Sequence, residues 1–421
     1  MKFSEFGFVQ PIQEAIELAG YDDATPIQVA AIPAILAGKD ILAGARTGTG
    51  KTAAFALPLL QRLINCTEQS GADKSTSQSS PNSNKSLRIL VLAPTRELAQ
   101  QVNASFKRYA KGSDFRSAVV YGGVGINPQI DQINKGIDLL VATPGRLLDL
   151  NKKRAVNLSN IDTLVFDEAD RMLDMGFKDE IRAVLSKLPK RDKKPRQTLL
   201  FSATLSDNIY KFSKSLLDKP ELIEVDQRNS TSLDVEQIVY NCDPDRKLAL
   251  VTHLIKKEAW KQVLIFSRTK QGADTIAESL NASGLQTEAI HADRSQSSRE
   301  KALSDFKAGL VTVLVATDVA ARGIDIHQLD TVINFEVPFK AEDYVHRIGR
   351  TGRAGLKGKA ITLLIEEENY LLEEIEVLLD SRLPQQWLTG YEPDLTRIVE
   401  TTTKNSRSAQ KRRAKKRAFK R

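Results

Sequence analysis

Short apolar runs that each break off into a polar, glycine- or proline-bearing motif recur along this chain, and they constrain the fold more than any other feature. In the first half they are 41–43 (ILA), 87–92 (LRILVL) before APTR, 139–141 (LLV) before TPGR, 163–166 (TLVF) before Asp167, and 198–201 (TLLF) before Ser202-Ala203-Thr204. A second set follows at 262–266, 287–290, 311–316, 331–335 and 360–365. Strands buried on both faces read as continuous apolar runs, and in open parallel sheets ligands gather outside the carboxyl ends of the strands. The expected fold class is therefore α/β, with two tandem parallel-sheet domains.

Length supports the duplication. At 421 residues the chain exceeds one ordinary core, and 41% hydrophobic with 27% charged residues is enough apolar material for two. The polar, aperiodic stretch 226–236 (DQRNSTSLDVE) reads as a linker, which gives domains at 1–225 and 237–385 and an extension at 386–421. The Ser/Asn/Gln-rich stretch 65–86 reads as an insertion inside the first domain.

Charge is concentrated in one place. Residues 404–421 hold ten Lys or Arg and no acid, which turns the +8 of the whole chain into −2 for the remainder. Such a run reads as a disordered basic tail able to tether a polyanion. Cys66 and Cys242 lie far apart, and His253, His291 and His327 show no ligand spacing, so neither a disulfide framework nor zinc is expected. With no run of ~18 apolar residues and no signal peptide at Met1, the expectations are no membrane and a cytoplasmic location.

Two motifs carry the chemistry. Ala45-Arg46-Thr47-Gly48-Thr49-Gly50-Lys51-Thr52 follows an apolar run and precedes a helical stretch. Its glycines let backbone amides close on phosphates, Lys51 would reach the β and γ phosphates of ATP, and Thr52 would ligate Mg²⁺. Ala45 stands where the strict pattern has glycine. Downstream, Val165-Phe166 ends in Asp167-Glu168-Ala169-Asp170. Asp167 would hold the metal, partly through water, and Glu168 would aim the attacking water. A lone surface acid is usually just solvated; a pair ending a buried strand is not. Arg347, Arg350 and Arg353 recur at three-residue spacing in the second half, as expected for guanidinium groups aimed at a γ phosphate. Ser202 and Thr204, alone no more than a helix cap, end the run after Asp167 and are placed to sense the acids.

With these segments in this order, the chain resembles the DEAD-box ATP-dependent RNA helicases of superfamily two, in their RhlE-like bacterial branch. The likeness covers about residues 1–365 and rests on roughly ten ordered motifs. It implies two RecA-like domains and the following roles. Gln28, in the segment Gly20-Tyr21-Asp22-Asp23-Ala24-Thr25-Pro26-Ile27-Gln28, reads adenine, and Phe3, with Tyr21, lies against the base. Thr95, Arg96, Gly123, Thr143 and Arg146 contact RNA from the first domain; Arg299, Thr317 and Gly323 do so from the second. Asp325 touches the ribose, Arg350 and Arg353 reach the γ phosphate, and Asp170, Ser202, Thr204 and His346 couple the halves. Ala292 departs from a common glycine after His291, and Arg46 fills a variable slot; neither removes a catalytic group.

The implied activity is RNA-dependent ATP hydrolysis with Mg²⁺ and local separation of short RNA duplexes, with little sequence preference. Ribosome-assembly or RNA-decay complexes are the partners it allows. An ATP-gated RNA clamp with little unwinding is the alternative, and Gln28 disfavours a DNA translocase.

Overall fold

Within each central strand, alternate residues enter different cores. Ile41, Ala43, Ile89, Val91, Val165, Leu199 and Phe201 belong to one apolar cluster, while Leu42, Leu90, Leu92, Leu164, Phe166 and Leu200 belong to another. Because side chains alternate across a strand, each continuous apolar run is buried from both sides. The computed structural model describes residues 1–45, 48–72, 86–225, 235–321, 329–352 and 358–396, with the side chains of 66–72 excluded. The linker residues 226–234, the basic tail 404–421, most of the insertion, and the site candidates Arg46, Thr47, Gly323, Asp325 and Arg353 lie outside the described residues.

The chain divides into two compact units, Met1–Arg228 and Asn229–Arg421. The first carries strands β1 (Ile41–Gly44), β2 (Ile89–Leu92), β3 (Ser117–Val120), β4 (Leu139–Ala142), β5 (Thr163–Phe166), β6 (Gln197–Ser202) and β7 (Glu221–Glu224). The second carries β8 (Val235–Asn241), β9 (Val263–Ser267), β10 (Thr287–Ile290), β11 (Val313–Thr317), β12 (Thr331–Asn334), β13 (Gly358–Leu364) and β14 (Gln385–Gln386).

Both are seven-stranded sheets among the described residues, with orders β3-β4-β2-β5-β6-β1-β7 and β10-β11-β9-β12-β13-β8-β14. Every pairing within them is parallel. The two orders are the same permutation, so each strand of the first sheet has a counterpart in the second. This is the α/β class of tandem RecA-like domains, as expected.

The structure corrects three boundaries. Val235 and Glu236, expected in the linker, pair with Gly358 and Lys359 as the start of β8. The helix Lys51–Ala72 runs past Asn65, the expected start of the insertion, since a long helix adds residues at little cost once nucleated. The segment after Gln385 does not leave the second unit at once: Gln386 lies opposite Tyr240, and Leu388 and Tyr391 pack on its core.

Candidate nucleotide and nucleic-acid site

The sheet order sorts the candidate residues of the first unit. Strands β5, β6 and β1 are neighbours, and from their carboxyl ends come Asp167, Ser202 and the Gly48–Thr52 turn. Strands β3, β4 and β2 are the adjoining neighbours, and after them come Gly123, Thr143 with Arg146, and Thr95 with Arg96.

On the nucleotide side, β1 ends at Gly44, Gly48 and Gly50 turn at φ +84° and +90°, and Lys51 opens the helix. A side chain on Gly50 would stand 2.4 Å from Nε2 of Gln28. Lys51 is buried, and its Nζ donates to the Ala45 carbonyl at 2.7 Å. An ammonium has three protons, so this bond leaves others for phosphate oxygens.

Asp167 is buried at the end of β5, and loss of solvent pushes its carboxyl up to about 7, against the lowering influence of Lys51 and with a further rise from Glu168. A buried carboxylate short of positive charge suits a divalent cation that brings its other ligands as phosphate and water. Mg²⁺ binds in that way, through one or two protein oxygens. The described residues contain no cluster of three or more His, Cys, Asp or Glu that could cage a metal unaided.

Glu168 sits in the left-handed region at φ 56°, ψ 54°, and its Oε2 is ion-paired with Nη1 of Arg171. A non-glycine residue there is strained, and such strain persists where surrounding contacts over-determine it, commonly at functional sites.

Asp170 has a different task. Its Oδ2 accepts from Ala203 N at 3.1 Å, Thr204 N at 2.9 Å and Thr204 Oγ1 at 3.0 Å, while Oδ1 accepts from Arg171 N at 2.9 Å. Ser202 Oγ donates to the Thr204 carbonyl at 2.7 Å. The Ser-Ala-Thr turn is thus tied to the third acid of the motif. The cap of the following helix is Ser206, whose hydroxyl accepts from Ile209 N.

Gln28 occupies the third position of the helix Pro26–Leu36, and its Oε1 accepts from Thr25 N at 2.8 Å while Nε2 donates to the Gly50 carbonyl at 3.2 Å. Thr25 Oγ1 donates to the Thr49 carbonyl at 2.8 Å. The same residues that cap this helix therefore hold the glycine turn before Lys51. Phe3 is 4% exposed, its ring stacked on Tyr21 at 5.9 Å and 25°; Tyr21 is the more accessible of the two. The Phe3 and Ala24 amides donate to the Asp22 and Met1 carbonyls, fastening the first residues to the segment that leads into Gln28.

On the other side, the missing Cβ of Gly123, at φ +78°, would lie 2.2 Å from Nη2 of Arg96, so the arginine occupies the space that glycine leaves. Arg146 Nη2 donates to the Val124 carbonyl at 2.9 Å, and its Nε and Nη1 are buried with no protein partner. Thr95 caps the helix Arg96–Tyr109 by accepting from Leu98 N, and Thr143 precedes the helix Pro144–Lys152. Two guanidinium groups and two helix starts thus share one stretch of sheet edge, a set suited to phosphate oxygens.

In the second unit, Thr317 ends β11 and Arg299 lies in the first turns of the helix Gln296–Lys307, which follows β10. Arg347 is not available to a ligand. It is 1% exposed, grips Asp318 with Nε at 2.6 Å and Nη2 at 2.7 Å, and donates to Asn334 Oδ1 at 3.1 Å and the Glu336 carbonyl at 2.8 Å. Its guanidinium also lies 5.0 Å over the Phe266 ring. Arg350 follows the helix Ala341–Ile348, which carries His346 half-buried. The pairings Glu168–Arg171 and Asp318–Arg347, and the link of His291 Nε2 to Asp274 at 2.9 Å, were not read from the sequence. Of these, only the three-residue separation of Glu168 and Arg171 offered a signal.

Comparison with known proteins agrees with this geometry. The chain matches the DEAD/DEAH box helicase family over residues 25–212 and the helicase conserved C-terminal domain over residues 246–355. It is 41% identical over 376 residues to the DEAD-box ATP-dependent RNA helicase CshA of Bacillus subtilis, covering 89% of this chain and 72% of the relative. Among solved structures, Mss116 bound to single-stranded RNA and UDP-BeF aligns with a TM-score of 0.80 at 28% identity, over 94% of this chain and 80% of that one. Dbp5 of S. cerevisiae bound to RNA and ADP BeF3 aligns with a TM-score of 0.77 at 28% identity, over 92% and 95%. Motifs, duplicated sheets and relatives agree, and the chain belongs to the DEAD-box ATP-dependent RNA helicases.

Proposed function

We propose that this helicase hydrolyses ATP only when RNA and nucleotide are held by both units at once, and that the same closure bends one RNA strand and separates a few base pairs. The supporting observation is positional: the candidate phosphate-binding residues follow β5, β6 and β1, the candidate RNA-contacting residues of the first unit follow β3, β4 and β2, and the second sheet repeats the same strand order.

Gln28 selects adenine, with Phe3 and Tyr21 against the base. The amides of Ala45, Arg46, Thr47, Gly48, Thr49 and Gly50 hold phosphates with Lys51, and Asp325 meets the ribose. Thr52 and, through water, Asp167 would hold Mg²⁺, which would supply positive charge beside the phosphates. Glu168 orients and deprotonates the attacking water; Arg350 and Arg353 stabilise charge on the transferring phosphoryl group. Thr95, Arg96, Gly123, Thr143 and Arg146, with Arg299, Thr317 and Gly323, hold the sugar–phosphate backbone, so sequence preference is low and the 2′-hydroxyl distinguishes RNA from DNA. Asp170, Ser202, Thr204 and His346 carry the state of one surface to the other. The cytoplasm, with ribosome-assembly or RNA-decay complexes, is the setting this activity fits.

The test is ATPase rate with and without RNA for the wild type and Glu168→Gln. Turnover is expected to need RNA, and the variant to lose turnover while still binding ATP and RNA. Equal rates without RNA, or an active variant, would refute the proposal.

A further inference from the structure

Because the two sheets share one strand order, β8 stands in the second sheet where β1 stands in the first. The parallel extends to the next α-helix: Lys51 opens the one after β1, and Lys247, following a 3-10 turn at Pro244–Arg246, opens the one after β8. The loop between, Cys242-Asp243-Pro244-Asp245-Arg246, contains no glycine, so no amide cradle for phosphates forms there. Lys247 is turned inward, its Nζ 2.8 Å from the Phe335 carbonyl and 3.4 Å from Glu368 Oε2. Even so, a cavity of about 280 Å³ persists at the carboxyl ends of β8 and β13.

Its lining has the wrong sign for a nucleotide or for RNA. Asp243, Glu366, Glu367 and Asp394 all border it, and no Lys or Arg does. Among the apolar side chains of the wall, two are widely exposed: Trp387 at 55% and Leu395 at 78%. Four carboxylates beside an accessible indole suit lysine and arginine side chains, which pair with the acids and lie over the ring.

We infer that this cavity is a docking site for a Lys/Arg-rich peptide, and that its occupant is the chain's own segment 404–421. That segment holds ten cations and no acid, whereas the rest of the chain sums to −2, so the complementary charge is supplied from within the molecule. Its tether begins at the site itself. Leu395 lines the cavity, and nine residue steps separate it from Lys404. Nine steps reach at most ~30 Å, enough to return to the cavity, and a tether of this length places the segment at an effective concentration on the order of millimolar. RNA phosphates would compete with the four carboxylates for the same cations, so the segment is held on the second unit until RNA draws it away.

Carbodiimide coupling of the full-length chain, followed by peptide mapping of the monomer band, tests this. Lysines of 404–421 should join Glu366 and Glu367 in severalfold excess over a more exposed carboxylate such as Asp179, whose side chain is 91% exposed, against the half-buried Glu367. Trp387→Ala, at an exposed position, should lower the yield by about threefold or more, and ~1 M salt should lower it as well. Three results would overturn the proposal: cross-links spread over surface acids in proportion to exposure, a yield unchanged by Trp387→Ala, or coupling to Glu366 and Glu367 only in the dimer band, which would assign the site to a second copy.

Discussion

Asp170 is the residue on which most of the local order around the acids converges, because one buried carboxylate accepts from three backbone amides and one hydroxyl. Removing the acceptor leaves buried donors unsatisfied, and each costs about 1–3 kcal/mol, whereas losing the hydroxyl alone removes one bond of about 1 kcal/mol. Asp170→Ala is therefore expected to destabilise the first unit by about 3 kcal/mol, and Thr204→Val by about 1 kcal/mol. Urea midpoints of the two variants measure the difference. A neutral Asp170→Ala would mean that the Ser-Ala-Thr turn does not depend on this acid. The candidate catalytic residues were legible in the sequence, because a glycine-rich turn and an acid-terminated strand of the kind proposed to bind phosphate and metal require particular residue types at short spacing. Their partners were not: Asp170 and Thr204 are 34 positions apart, and Asp318 and Arg347 are 29 apart, pairings that only the sheet order brings together. Arg347 shares its spacing with Arg350 and both are buried, so spacing along a helix end cannot say which arginine grips Asp318.

At the scale of elements, legibility followed burial. The central strands β2, β4, β5, β9 and β11 are buried along their length and announced themselves as apolar runs. The strands missed are β3 and β7, which alternate between buried and accessible positions, β8, whose run includes Glu236 and Gln237, and the two-residue β14. Edge strands lack the continuous pattern because one face meets solvent. The same sheet order separates the two proposed functions along one edge, which makes a directed prediction possible after β3. In Gly123→Ala, a methyl group 2.2 Å from the Arg96 guanidinium, on a backbone at φ +78°, must displace the arginine or the turn. RNA affinity should fall about tenfold, equivalent to ~1.4 kcal/mol, while ATP affinity stays unchanged, since the nucleotide strands lie across β2 from this turn. Fluorescence titrations with labelled RNA and with a labelled ATP analogue separate the two effects. Equal losses in both would show that the edge is not divided.

For the whole molecule, the duplicated sheet order carries a stronger consequence than shared ancestry of shape. The first unit has two apolar cores of its own, one on each face of its sheet, so residues 1–225 are expected to fold alone. That fragment keeps Lys51, Thr52, Asp167, Glu168 and Gln28, the groups that would bind ATP and aim the water, and also Arg96 and Arg146 for RNA. It lacks Arg299, Thr317 and Arg350, which belong to the second unit. A guanidinium brought to the γ phosphate by a second domain contributes roughly 10³–10⁵ in rate, whereas ground-state binding of the nucleotide draws mainly on the first sheet. The fragment should therefore bind ATP within severalfold of the intact chain yet show no stimulation of hydrolysis by RNA. Nucleotide titration and single-turnover hydrolysis, each with and without RNA, measure both quantities on one preparation. RNA-stimulated turnover by the fragment at the rate of the full chain would place the entire catalytic apparatus on one sheet and leave the second unit no chemical task.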